Sequence, residues 1–409
     1  MSESSAQARA QDVARAAYGK LIAMLASKTG DIIAAEDALA DAFVAALKTW
    51  PDRGIPDNPE AWLLTVAKNR RIDQARRDAR LVITDKANDM ADAQAIEPEE
   101  VPLDSRLKLL FVCAHPALDE GIRTPLMLQT VLGLEADQIA KAFLIKPATM
   151  AQRLVRAKKK IKSAGIPFVV PEPEAYPERM GAVLEAVYGA YAVDWLEGDG
   201  DISHEAFFLS TILAELAPEN PEALGLTALI GLIEARREAR FSDGVLVPVP
   251  EQDTALWDSR LIDWSIGLLT QASLKRAPNS MPGRFQLEAA IQSVHAARSV
   301  TDQTDWRALS QLYHGLMHAY PSIGGAVSRA AVVAEDVGPT EGLKMLGVIQ
   351  YDGLESYQPF HAVRADCLAK QGQIADAAEA YAEAISLCTD RPSKLWLEKK
   401  IADLRKKMV

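Results

Sequence analysis

Cysteine is scarce. Cys113, Cys367 and Cys388 form an odd, scattered set without metal-ligand spacing, which excludes a disulfide framework and fits a reducing cytoplasm. No run of about 18 apolar residues occurs, so no membrane span and no membrane partner are expected. The opening MSESSAQARAQDVARAAYGK lacks the basic-then-apolar order of a signal peptide and reads as a helix start. There is no phosphate-cradling glycine loop and no nucleophile elbow. HGLMH (314–318) sets two histidines at i, i+4 but has neither the glutamate of a zinc-protease motif nor a third ligand, so both read as surface or packing residues. Cys113 and His115 read as a core contact. Neither metal, cofactor nor catalysis is expected of this chain.

What is there is helix and unevenly shared charge. A hydrophobic share of 49% with 25% charged residues is that of a globular protein, and 409 residues exceed one ordinary core. The formal net charge is −11, yet residues 1–170 hold 24 Lys+Arg against 22 Asp+Glu, net +2. The remaining 239 residues hold 21 against 34, net −13. A locally basic front half on an acidic chain suits a polyanionic partner held by a few placed patches.

Apolar residues recur at three and four spacings from Val13 to Trp50, from Ala61 to Ile83 and from Leu107 to Leu132, so the expected fold class is all-α. GVLVPVP (244–250) is the one β-like run, and its prolines favour a loop. WPDRGIPDNPEAW (50–62) reads as a loop between helices. Residues 84–104, with seven acidic residues against one basic, read as a solvated linker, and the proline-rich 165–178 as a second boundary. Within 362–388, Ala365, Gly372, Ala377, Tyr381 and Ala384 sit at the offsets of a tetratricopeptide repeat, in which small residues let two antiparallel helices approach around an aromatic. PENPEALGLTALIGLIEARREAR (218–240) resembles a degenerate relative of that pattern, and Trp257 and Trp264 read as packing residues.

Two basic helices carry the functional signal. In LEADQIAKAFLIKPATMAQRLVRAKKKIKSAG (134–165), a short amphipathic helix is followed by a tight connection and by Pro147 at a first-turn position. Ala140, Leu144 and Ile145 can pack the two helices, while Thr149, Gln152, Arg153 and Arg156 share an outward face. That is the logic of a helix-turn-helix that reads DNA bases with its second helix, with Lys158, Lys159, Lys160 and Lys162 near phosphates. The bland alternative is a helix with a solvated basic tail. The upstream helix 61–80 carries Lys68, Asn69, Arg70, Arg71, Arg76, Arg77 and Arg80 around an apolar stripe of Leu63, Val66, Ala67 and Ile72.

With EDALADAFVAAL before it, NPEAWLLTVAKNRRIDQARR resembles region 2 of the extracytoplasmic-function sigma factors of bacterial RNA polymerase, with Asn69, Asp73 and Arg77 at their signature positions. DQIAKAFLIKPATMAQRLVRAKKKI resembles their region 4. CAHPAL, PENPEALGL, PEQDTALWD and RFQLEAAIQSVHA are similar to the subgroup with a long C-terminal helical-repeat extension. The chain departs from those patterns at Leu144, where a glycine is common, at EDVGP (335–339) and at AVDW (192–195).

The resemblance implies region 2 over 1–83, an acidic linker over 84–104, region 4 over 105–170 and a tetratricopeptide-like helical domain over 171–409. It implies that Glu36, Asp37 and Asp41 dock on the clamp of core RNA polymerase, with region 4 near the flap. Lys68, Asn69, Arg70, Arg71, Arg76 and Arg77 would meet the −10 promoter element. Thr149, Gln152, Arg153, Arg156, Lys158 and Lys159 would meet the −35 element. Loop 50–60 would pocket a flipped base, and 84–104 would thread toward the RNA exit path. A regulatory protein or peptide is expected on the extension. The competing reading is a helical-repeat adaptor that binds DNA without polymerase.

Overall fold

The helical periodicity from Val13 to Trp50 covers two helices, because Gly30 takes a left-handed φ of 65° and Asp31 then caps a new helix by accepting from the Ala34 N–H at 3.1 Å. The structure is a computed structural model that describes residues 17–27, 30–82, 104–143, 145–197 and 201–406. The fold is all-α. Two compact units divide it, residues 1–209 and 210–409.

In the first unit, α1 (17–26) packs beside the hairpin of α2 (Ile32–Arg53) and α3 (Pro59–Val82). The loop expected over 50–62 is shorter than its three prolines suggest. Helix α2 runs on through Pro51 to Arg53, because fully buried Trp50 pins its last turn edge-on against Trp62 of α3, with centroids 5.6 Å apart. Gly54, at φ 86°, ends the helix by returning its N–H to the Trp50 carbonyl, and Asn58 caps α3 through the Ala61 N–H. Then follow α4 (Asp104–Cys113), α5 (Glu120–Thr130), α6 (Ala136–Ala142) and α7 (Pro147–Ser163). Residues 83–103, most of the expected linker, lie outside the described residues. Helix α8 (Tyr176–Glu197) packs on α4 and α5, with Tyr176 stacked on Phe111 at 5.4 Å. Buried Cys113 shares a hydrogen bond with Thr130, and burial pushes its thiol up to about 12.

Helix α9 (Asp201–Leu216) spans the division between the units. At the centre of the second unit, α10 (Pro221–Glu234) is buried over ten consecutive residues, Ala223 to Leu232. Asn220 caps it and Pro221 occupies its first turn. The run 244–250 is not wholly a loop. Val245–Leu246 (β2) pairs antiparallel with Phe241–Ser242 (β1) in a two-residue ribbon. Asp243 and Gly244 both have positive φ, 52° and 77°, the conformation that a tight primed turn needs between twisted strands. Helices α11 (Ser259–Lys275) and α12 (Arg284–Ala296) wrap α10.

Trp257 is buried with Leu232, Ala235 and Ile262, and the guanidiniums of Arg236 and Arg298 lie over its ring at 5.8 and 5.0 Å. Trp264, by contrast, is 43% exposed and is not a core residue. Beyond the short α13 (Arg298–Thr301), α14 (Trp306–Ala319), α15 (Ile323–Asp336) and α16 (Pro339–Gly347) continue the helical stack. His314 meets Arg329 at 3.0 Å. Helices α17 (Gln358–Lys370) and α18 (Ile374–Ser386) form the hairpin expected over 362–388. Gly372 turns at φ 79°, and Ala365, Ala377, Tyr381 and Ala384 are buried with Leu397, Ile401 and Leu404 of α19 (Arg391–Lys406).

Candidate nucleic-acid interface

Helix α6 begins at a reciprocal capping box between Glu135 and Gln138 and ends at a turn closed by the Ile145 N–H to the Ala140 carbonyl, 2.9 Å. Pro147 starts α7 three residues after Leu144, which itself lies outside the described residues. Ala140 is buried and Ile145 half-buried at the junction of the two helices. Met150, Leu154, Ala157 and Ile161 form the buried stripe of α7. The opposite face presents Thr149, Gln152, Arg153, Arg156, Lys159 and Lys160, all exposed. Among the described residues, the α7 cations that pair with carboxylates are Lys158 and Lys162. Among the described residues, the outward face is therefore a surface of polar and cationic groups not paired with carboxylates.

Lys158 lies elsewhere. It sits on the buried stripe, 6% exposed, with Nζ 2.6 and 2.7 Å from the two Glu36 carboxylate oxygens. The Tyr18 hydroxyl donates to the same carboxylate at 3.5 Å, and burial, then the Glu36 charge, pushes the phenol above its ordinary range. In this arrangement Lys158 lies off the outward face of α7, and the Glu36 carboxylate is paired with it and half-buried. Lys162 is paired with Asp31 at 2.6 Å, so the carboxylate that caps α2 also holds the end of α7.

On α2, Asp37 and Asp41 are exposed one turn apart. Asp41 approaches Arg70 of α3 at 3.9 Å, an exposed pair of the kind that contributes little. Lys68 is half-buried, and Asn69 and Arg70 are exposed. The side chains of Arg71, Arg76 and Arg77 lie outside the described residues. The structure thus gathers Thr149, Gln152, Arg153, Arg156 and Lys159 on one exposed face of α7 and separates Lys158 from them. It also draws Glu36 away from Asp37 and Asp41.

Sequence reasoning missed Tyr18 and Asp31. A lysine in register with Leu154 and Ile161 was a signal that a buried carboxylate must exist, but its location was not readable.

The sigma-70 region 2 family matches residues 13–81, which takes in α1, α2 and nearly all of α3. A family of unknown function (DUF6596) matches residues 179–273, from α8 through most of α11. An uncharacterized protein of Rhizobium meliloti (strain 1021) is 35% identical over 384 residues, covering 90% of this chain and 90% of the relative. No solved structure matches.

Proposed function

We propose that this chain, whose residues 13–81 match the sigma-70 region 2 family, is an alternative initiation factor of the extracytoplasmic-function type, which binds core RNA polymerase and directs it to particular promoters. The observation that carries the reading is the outward face of α7, where Thr149, Gln152, Arg153, Arg156 and Lys159 stand together and exposed, on a chain whose residues 13–81 match region 2. Those side chains suit base edges and phosphates of a −35 element. Lys68, Asn69 and Arg70 of α3, with Arg71, Arg76 and Arg77 further along the helix, would act on the −10 element. Asp37 and Asp41 would dock on the polymerase clamp, joined there by Glu36, and region 4 (105–170) would lie near the flap.

Several finer assignments belong to the same proposal: work in the cytoplasm, the acidic 84–104 as a connector toward the RNA exit path, and the helical pairs beyond 171 as a tetratricopeptide-like modulator able to receive a protein or peptide.

Reconstituted transcription tests it. Core polymerase with the full chain, on promoters selected from random DNA, should give specific transcripts that core polymerase alone does not. A chain that binds DNA but neither associates with core polymerase nor supports transcription would overturn the proposal in favour of a DNA-binding adaptor.

A further inference from the structure

We propose that α19, at the end of the second unit, is a further surface for DNA, one that holds the phosphates of a duplex without reading its bases. The reading above supplies only the promoter; the surface itself stands on α19. Charge in this unit is sharply sorted. Residues 210–390 hold 13 Lys+Arg against 23 Asp+Glu, net −10. Residues 391–406 hold six against two, net +4.

Packing fixes which side of the helix carries that charge. Leu397, Ile401 and Leu404 are buried with Tyr381 and Ala384 of α18, and Asp390 secures the first turn by accepting from the Ser393 N–H at 2.8 Å. Arg391, Lys394, Lys399, Arg405 and Lys406 are all exposed. They span about 23 Å of helix, roughly seven base pairs of duplex. Lys400 is held apart, paired with Glu251 at 3.2 Å and lying over Trp396 at 5.1 Å. Lys406 meets Asp403 at 2.9 Å on the helix itself. Among the described residues these are the carboxylate pairs of α19, so Arg391, Lys394, Lys399 and Arg405 carry uncompensated charge.

Neither helix stability nor solubility accounts for this. The helix dipole favours cations at the C-terminal end, which explains Arg405 and Lys406. Arg391 and Lys394 stand at the opposite end, where no acidic residue lies in the first turn to offset them. Cations added to an acidic body lower its net charge, and with it the repulsion that keeps copies apart. The exposed Asp403 carboxyl is held below its ordinary range by Lys406 first, then by Lys399 and Lys400, so these ammoniums act as one field. A polyanion is the partner such a field selects. The outward face has no exposed aromatic to stack on a base, since Trp396 is half-buried beside Lys400, and this favours a duplex over a single strand. The acidic body repels phosphates, so it also orients the approach with α19 toward the DNA.

The test uses the full chain on a long promoter duplex and on a random duplex of equal length, with affinity measured across salt. Lys394→Gln, Lys399→Gln and Arg405→Gln together should weaken both by about tenfold and reduce the slope of log affinity against log salt by about 2–3, with base preference unchanged. Arg260→Gln, Arg307→Gln and Arg364→Gln, the same change in net charge at exposed sites elsewhere in the unit, should leave both nearly unaltered. The charge-keeping set Lys394→Arg, Lys399→Arg and Arg405→Lys should bind like the original chain, which separates lost charge from lost folding. Unchanged affinity and slope in the α19 glutamine variant would overturn the proposal, as would an equal loss in the control variant. A loss confined to core polymerase binding would overturn it in favour of an acidic protein surface, and so would a loss confined to single-stranded nucleic acid in favour of that partner. If duplex affinity falls as stated but the unaltered chain gives no promoter-specific transcripts, the surface stands and the functional reading fails.

Discussion

The Glu222 carboxylate, in the first turn of α10, accepts the backbone N–H of Phe285 in the first turn of α12 at 2.9 Å. The same group takes the Gln286 N–H at 3.2 Å and the Gln286 side-chain amide at 3.0 Å. One carboxylate thereby satisfies the open donors at the start of a neighbouring helix, where the helix dipole also favours negative charge. A Cβ on Gly283 would stand 2.1 Å from it, so the glycine before α12 is what lets Glu222 in. Glu222→Ala should cost about 1–3 kcal/mol of unfolding free energy. Urea unfolding should show a lower midpoint with an unchanged slope.

Two glycines on adjoining helices should respond to alanine with opposite signs. At Gly231 of α10 a Cβ would stand 2.3 Å from the Ser265 hydroxyl of α11, whereas at Gly267 of α11 it would meet nothing within 4 Å. Gly231→Ala should destabilise by about 1–3 kcal/mol through overpacking. Gly267→Ala should stabilise by about 0.5–1 kcal/mol by lowering the entropy of the unfolded chain. Thermal melts of both variants check the pair.

If α7 meets a −35 element as proposed, its residues should divide between reading bases and holding phosphates. Arg153→Ala should change which −35 bases are preferred and cost about 1–3 kcal/mol on the preferred site. Lys159→Ala should weaken all sites alike and reduce the slope of log affinity against log salt by about 1. Binding selections on randomised −35 DNA, repeated across salt, would show either pattern.

His295 gives the extension an acid-sensitive step. Burial, then the Arg236 and Arg298 guanidiniums, pulls its imidazole from 6.5 down to about 4. The folded pKa lies below the unfolded one, so the unfolded chain takes up the proton first. The stability due to neutral His295 is complete above about pH 6.5 and is lost as pH falls toward about 4. His295→Gln should remove that decline, on the order of 3 kcal/mol between about pH 6.5 and about pH 4. Denaturant midpoints at several pH values should fall less steeply in the variant.

Much of this arrangement was legible in the residues, because local spacing decided it. The outward set Thr149, Gln152, Arg153 and Arg156 follows from helical periodicity, and the α17–α18 hairpin follows from small residues placed around Tyr381 and Gly372. What was not legible depended on partners distant in sequence. Lys158 looked like one more cation in a basic run until its partner, Glu36, was placed beside it. Pro51 signalled a break that burial of Trp50 overrides. The ribbon at 241–246 hid behind prolines, although Asp243–Gly244 is a turn dipeptide. Trp264 looked like core because tryptophan usually is, and nothing local showed that its side of α11 stays partly uncovered.

Helix α10 has no wet side along its middle, with Ala223 through Leu232 all buried, and its covers α11 and α12 come later in the chain. On the ribosome, then, this helix emerges after α9, whose Ser210 and Ala214 meet Thr227 and Leu224, but before α11 and α12 exist to cover the rest of it. With synthesis at about 5–20 residues per second, it waits several seconds for Ala296 to appear and complete the wrap. During that interval it is a sticky apolar rod, and the nascent extension is most exposed to chaperone capture or to association between neighbouring chains.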